Sequence, residues 1–191
     1  ASDREVRATT SFALLSLPLE PSLQTRAAAM DARSQAVGVS PLPSPSPGAR
    51  PAGTLLHVGW LSSDFRDHPV AQLLVEVLER WPRGEVRHTL YSHAAADGSA
   101  IRSRLVNAVD AVVDLNDTSD RAAAERIRAD GVDVLIDLQG HTRGQRLAIL
   151  AHRPAPVQAT YLGFPGSTGA DYIDYLIGDP FVTPPALASI Y

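Results

Sequence analysis

The chain has 191 residues, 45% hydrophobic and 20% charged, with a formal net charge of −4 and no cysteine. That balance suits one globular domain with an appendage, supplies no Lys/Arg cluster to neutralise nucleic-acid phosphates, and excludes disulfides, thiolate catalysis and thiolate metal sites. No apolar run approaches the ~20 residues of a membrane span, and Ala1 to Thr10 lacks the basic-then-apolar order of a signal peptide, so a soluble, cytoplasmic protein without membrane or nucleic-acid partners is expected.

Residues 1–37 read as helical. Phe12, Leu14, Leu15 and Leu17 are apolar, and Glu20-Pro21-Ser22 starts an Ala- and Arg-rich helix running to about Ala36, strong in propensity but thin in apolar content. Five prolines between Gly38 and Thr54 mark a linker of polyproline character. A regular pattern begins at Leu55. Leu55–Leu61 reads as a buried strand, and Val70, Leu73, Leu74, Val77, Leu78 and Trp81 recur at helical spacing. A second strand spans Val86–Tyr91, a short helix surrounds Ile101 and Leu105, and a third strand covers Ala111–Leu115. Asp117-Thr118-Ser119 caps a helix that Gly131 stops. A fourth strand (Val132–Leu138), a short helix (Gly144–His152) and strands at Val157–Leu162 and Tyr172–Ile177 follow, and Ala186–Tyr191 reads as the first turns of a further helix, cut off. The alternation predicts an α/β fold with a Rossmann-like, mostly parallel sheet over residues 55–191, preceded by the short helical segment.

In an open parallel sheet, ligands bind outside the carboxyl ends of the strands, and the unusual residues collect there. His68 precedes Pro69, a residue suited to the first turn of a helix. The imidazole therefore sits at the positive end of a helix dipole, which favours its neutral form, able to take a proton from a hydroxyl or to bond a sugar. Asp64, four residues earlier, can orient that ring. A plain helix cap and a loop carboxylate account for the same pair. Gly140-His141-Thr142 and the loop Leu162-Gly163-Phe164-Pro165-Gly166 can likewise bring backbone close to a ligand or serve as structural turns. The second loop is neither a G-x-G-x-x-G fingerprint nor a Walker loop. His57 and His88 fall inside strands and read as packed residues, Asp114 and Asp137 as caps at strand ends, and no His/carboxylate group has metal-ligand spacing.

Four segments together resemble the catalytic region of O-GlcNAc transferases and their SPINDLY-like relatives: Val58 to Phe65 with His68-Pro69; Asp137 to Thr142; Arg153 to Gln158; and Leu162 to Gly166 running into Asp174-Tyr175. They occur in the family's order across about residues 55–185, and Ser11 to Ala36 more loosely resembles the transition helices that follow the family's tetratricopeptide repeats. The resemblance implies the N-terminal lobe of a GT-B fold with the C-terminal lobe absent. It also implies an inverting transfer of N-acetylglucosamine from UDP-GlcNAc to Ser/Thr hydroxyls of a protein or peptide acceptor, with no cofactor and no essential metal. His68 matches the active-site histidine, Asp64 an acidic position of the motif, and Leu162, Gly163 and Pro165 the loop that packs on the donor sugar. Gln72 stands where many relatives have a second histidine, and Val70 where animal enzymes have threonine. The resemblance places the nucleotide-binding residues in the missing lobe, so the chain alone is expected to be inactive. Two alternatives stay open: a non-catalytic Rossmann-like interaction lobe, and another sugar-nucleotide enzyme of GT-B shape.

Overall fold

The structure, a computed structural model, describes residues 10–43 and 53–191; the predicted start of the helical segment and most of the Pro-rich linker lie outside them. Six strands form one sheet: β1 (Leu56–Ser62), β2 (Val86–Ser92), β3 (Ala111–Asp114), β4 (Val134–Asp137), β5 (Val157–Tyr161) and β6 (Tyr175–Ile177). Their order is β3-β2-β1-β4-β5-β6, and every pair is parallel. The chain winds from β1 to one edge, returns past β1, and continues to the other, which puts the topological switch point between β1 and β4.

Period-2 alternation divides the core into two layers. Val58, Trp60, Leu90 and Ile136 enter one, with Leu74 and Leu78 of α3 (Pro69–Arg80) and Leu105 of α4 (Ala100–Ala108). Leu61, Tyr91 and Leu135 enter the other, with Ile127 of α5 (Asp120–Ala129) and Leu150 of α6 (Leu147–Ala151). Ser99 and Ser119 cap α4 and α5 through hydroxyls that accept backbone N–H groups. Near the amino ends of β1, β2 and β5, carboxylates of Asp133, Asp110 and Asp174 accept the N–H groups of His57, His88 and Gln158, at 2.7, 2.7 and 2.8 Å.

Three expectations needed adjustment. The buried stripe of α3 is Val70, Ala71, Leu74, Val75 and Leu78, while Leu73 and Val77 are exposed. Small Ala71 lets the helix lie close to the sheet, and the sheet plane, not the longest apolar spacing, selects the buried face. The sixth strand starts at Tyr175, because Arg153 ties the Tyr172 carbonyl and Asp174 across the preceding segment. The last residues form a 3-10 helix, Pro185–Ile190.

The N-terminal segment docks on the lobe. Helices α1 (Ser11–Leu14) and α2 (Pro21–Gln35) pack together through Leu14 and Ala27. Tyr172 Oη donates to the Ala32 carbonyl at 3.1 Å. A Cβ at Gly169 (φ +61°) would lie 2.6 Å from the Ala29 nitrogen, so only glycine lets the β5–β6 loop touch the α2 backbone. The described start of the linker is also fastened: Leu42 is buried, its N–H bonds the His152 carbonyl at 2.7 Å, and Arg128 donates to the Pro43 carbonyl.

Candidate functional site

At the switch point a cleft of about 630 Å³ opens between the loops that follow β1 and β4. The β1–α3 loop contributes Ser63, Asp64, Arg66 and His68, the loop after β4 contributes Thr142, Arg143 and Gly144, and Gly163 lies on its wall. Three contributors come from elsewhere: Val70 in the first turn of α3, Ala94 beyond β2 and Phe12 on α1.

His68 is both the cap and a cleft residue. Its backbone is extended (φ −152°, ψ 147°), and its Nδ1 accepts the Val70 N–H at 3.3 Å, while its side chain remains one-third exposed. Asp64 Oδ2 lies 3.7 Å from the same Nδ1. The carboxylate is almost buried, and its other oxygen accepts from Arg66 at 3.2 Å and from the Ser63 hydroxyl at 3.3 Å. The Asp64 N–H donates to Ser62 Oγ at 2.9 Å. These bonds fix the carboxylate beside the imidazole.

Gln139 joins the two loops. It is fully buried; its Oε1 accepts the Ser63 N–H at 3.0 Å, and its Nε2 donates to Ser63 Oγ at 2.7 Å and the Arg143 carbonyl at 3.3 Å, lying 3.5 Å from Asp64 Oδ2. One amide thus holds residues 75 or 76 positions away in register with the end of β4. Asp137, at the end of β4, accepts the Gly140 N–H at 2.6 Å. Burial pushes its carboxyl up to about 6 despite the backbone N–H groups of Gly140 and Gln139.

The loop after β5 is tightly folded. The Gly163 N–H bonds the Tyr161 carbonyl at 2.8 Å around Leu162, whose φ is +71°, a γ-turn of the rare, strained kind. A second two-residue closure, Gly166 N–H to Phe164 carbonyl at 2.9 Å, follows around Pro165. A Cβ on Gly163 would stand 2.0 Å from the Leu138 carbonyl oxygen, so this glycine serves contact with β4's exit. Leu162, Phe164, Pro165 and Gly166 line a neighbouring pocket of about 370 Å³ with residues of β6 and Tyr191.

The predicted site residues therefore separate into groups. His68, Asp64, Thr142 and Gly163 meet in one cleft, and the rest of the β5 loop faces the adjoining pocket. His141 lines neither: its Nε2 contacts the Thr168 carbonyl at 2.8 Å, its ring packs edge-on against Phe164 at 5.1 Å, and burial lowers its pKa. His57 and His88 are buried, their pKa values lowered chiefly by desolvation. Sequence reasoning passed over His93, whose N–H donates to the Ser62 carbonyl at 3.1 Å beneath the cleft. Burial first, then Arg146, lowers its imidazole to about 4, and its Nε2 has no partner among the described residues.

The doubly wound sheet and its loop-built cleft define a Rossmann-like lobe, the class of sheet in which ligands bind outside the carboxyl ends of the strands. More particularly, the chain belongs to glycosyltransferase family 41, which it matches over residues 35–191. It is 41% identical over 136 residues to a probable UDP-N-acetylglucosamine–peptide N-acetylglucosaminyltransferase, SEC, of Arabidopsis thaliana, covering 71% of this chain and 14% of that protein. Identity to the corresponding Caenorhabditis elegans enzyme is 38% over 140 residues, covering 73% and 12%. A solved structure of a point mutant of Thermobaculum terrenum O-GlcNAc transferase superposes with a TM-score of 0.84 at 33% identity, covering 95% of this chain and 35% of that one. The fold is thus that of a GT-B lobe, and the chain spans about one seventh of the length of the first of these relatives.

Proposed function

We propose that this chain is the N-terminal lobe of an inverting glycosyltransferase that moves N-acetylglucosamine from UDP-GlcNAc to Ser or Thr hydroxyls of polypeptides. The observation that carries the reading is the His68–Asp64 pair at the switch-point cleft of a family-41 chain. We also propose a second lobe, outside this chain, that supplies the nucleotide-binding groups. The same reading includes a cytoplasmic setting, helices at 11–35 that continue a repeat solenoid, and transfer without an essential metal.

The geometry supports a specific division of labour. While Nδ1 accepts the Val70 N–H, a neutral ring carries its proton on Nε2 and can only donate into the cleft. When Nδ1 instead holds the proton and turns it to Asp64, Nε2 is freed to accept. The acceptor hydroxyl oxygen then attacks the anomeric carbon, its proton passes to Nε2, and the bond from that carbon to the UDP oxygen breaks with inversion. Asp64 stabilises the imidazolium so formed, and proton removal of this type contributes roughly 10²–10⁴-fold.

In the complete gene product, His68→Ala should reduce transfer of labelled GlcNAc to a peptide by at least about 100-fold, with circular dichroism unchanged. Undiminished turnover would remove His68 from the chemistry.

A further inference from the structure

We infer that Phe12, carried on α1 outside the sheet, is an acceptor-recognition residue whose ring receives an apolar side chain of the polypeptide substrate. The inference rests on the glycosyl-transfer reading. Phe12 lines the same cleft as Ser63, Asp64 and His68, yet 49% of it is exposed. Half of the residue thus remains free to meet a ligand at the cleft wall.

The fixing is extensive. Thr10 Oγ1 caps α1 by accepting the Ala13 N–H at 3.3 Å, the Ser11 N–H donates to Asp31 Oδ2 at 2.9 Å, and Gln24 Nε2 reaches the Leu14 carbonyl at 3.4 Å. Helix α2, to which these bonds tie α1, is seated on the lobe through Gly169 and Tyr172. Phe164 stands behind the ring, centroids 6.4 Å apart and planes tilted by 45°. The aromatic face is thus held in place before any ligand arrives, the condition under which an anchor pocket binds with least ordering cost.

A polypeptide fits this position because it must run on past its reacting hydroxyl in both directions and so crosses the rim of the cleft. Charge points the same way. Arg66 is neutralised by Asp64, but the Arg143 guanidinium in the same cleft has no ion pair or hydrogen bond among the described residues. The matching acceptor carries an apolar residue beside the modified Ser or Thr, with an acidic residue nearby.

The test measures steady-state transfer from UDP-GlcNAc by the complete gene product. One acceptor peptide has a Leu-flanked, acidic context, and its counterpart has alanines in the flanking positions. Phe12→Ala should raise KM for the Leu-flanked peptide on the order of tenfold, leave the wild-type-to-variant ratio near one for the alanine peptide, and be rescued by Phe12→Trp. Leu17→Ala, on the turn after α1, should alter neither. An unchanged peptide KM, or an equal rise in donor KM, overturns the assignment. Absence of transfer by the wild type to every peptide would instead refute the enzymatic reading beneath it, and the inference with it.

Discussion

Replacing Gln139 by leucine removes four polar contacts, the longest of them 3.5 Å to Asp64 Oδ2, at nearly constant volume and isolates what the inter-loop clamp does. The Ser63 N–H, the Ser63 hydroxyl and the Arg143 carbonyl each lose a partner. Their costs differ. Arg143 is exposed, so its carbonyl can turn to water, and the Ser63 hydroxyl keeps Asp64 at 3.3 Å. The Ser63 N–H faces a side chain that is fully buried, and leaving such a donor unpaired costs about 1–3 kcal/mol. A central value of ~2 kcal/mol corresponds to a roughly 30-fold larger opening equilibrium constant for the β1–α3 loop. Hydrogen–deuterium exchange of a peptide spanning residues 61–66 in the complete protein should report that loss of protection at Ser63, with strands β2 and β5 unaffected. Because the same loop holds Asp64 beside His68, kcat should fall more than donor KM rises. Gln139→Glu keeps an acceptor for the Ser63 N–H but sets a second carboxylate near Asp64 Oδ2, so it should restore protection without restoring turnover. Wild-type exchange at Ser63 in the leucine variant would refute the clamp.

Gly163→Ala should destabilise the lobe by at least about 2 kcal/mol, because its Cβ would meet the Leu138 carbonyl oxygen at 2.0 Å and backbone must move; thermal melting checks this. His93 supplies a pH dependence of known sign. Its folded-state value of about 4 lies below the ordinary 6.5, so the unfolded chain binds the extra proton, and stability is lost as pH falls between those values. The difference is worth roughly 3 kcal/mol. Asp137, raised to about 6, acts oppositely over pH 4–6, adding stability as pH falls. His57, His88 and His141, also lowered by burial, add to the same acid-side loss, so His93→Asn should reduce it between pH 6.5 and 4 in denaturant titrations; an unchanged pH profile would exclude His93 as a contributor.

Much of the lobe was legible in the linear pattern. Continuous apolar runs identify β1 and β4 because a parallel sheet buries both faces, and Ser119, Pro69 and Gly131 mark helix ends because those positions demand a side-chain acceptor, a missing donor or a positive φ. His68 and Asp64 were legible for a similar reason, since four residues around one helix start must lie near one another. Periodicity, however, reports only what neighbours along the chain require of each other. It misassigned Leu73 and Val77 to the buried face of α3, because the sheet's orientation, absent from local spacing, chooses which side packs. Likewise, it could not show that Gln139 reaches across 76 residues to Ser63, that Phe12 lines the cleft with Phe164 behind it, or that His141 turns toward Thr168. Those meetings depend on where the β3-to-β4 crossover and the docking of α2 bring distant segments. Their free energy comes from burial and hydrogen bonds that exist only once the layers have closed.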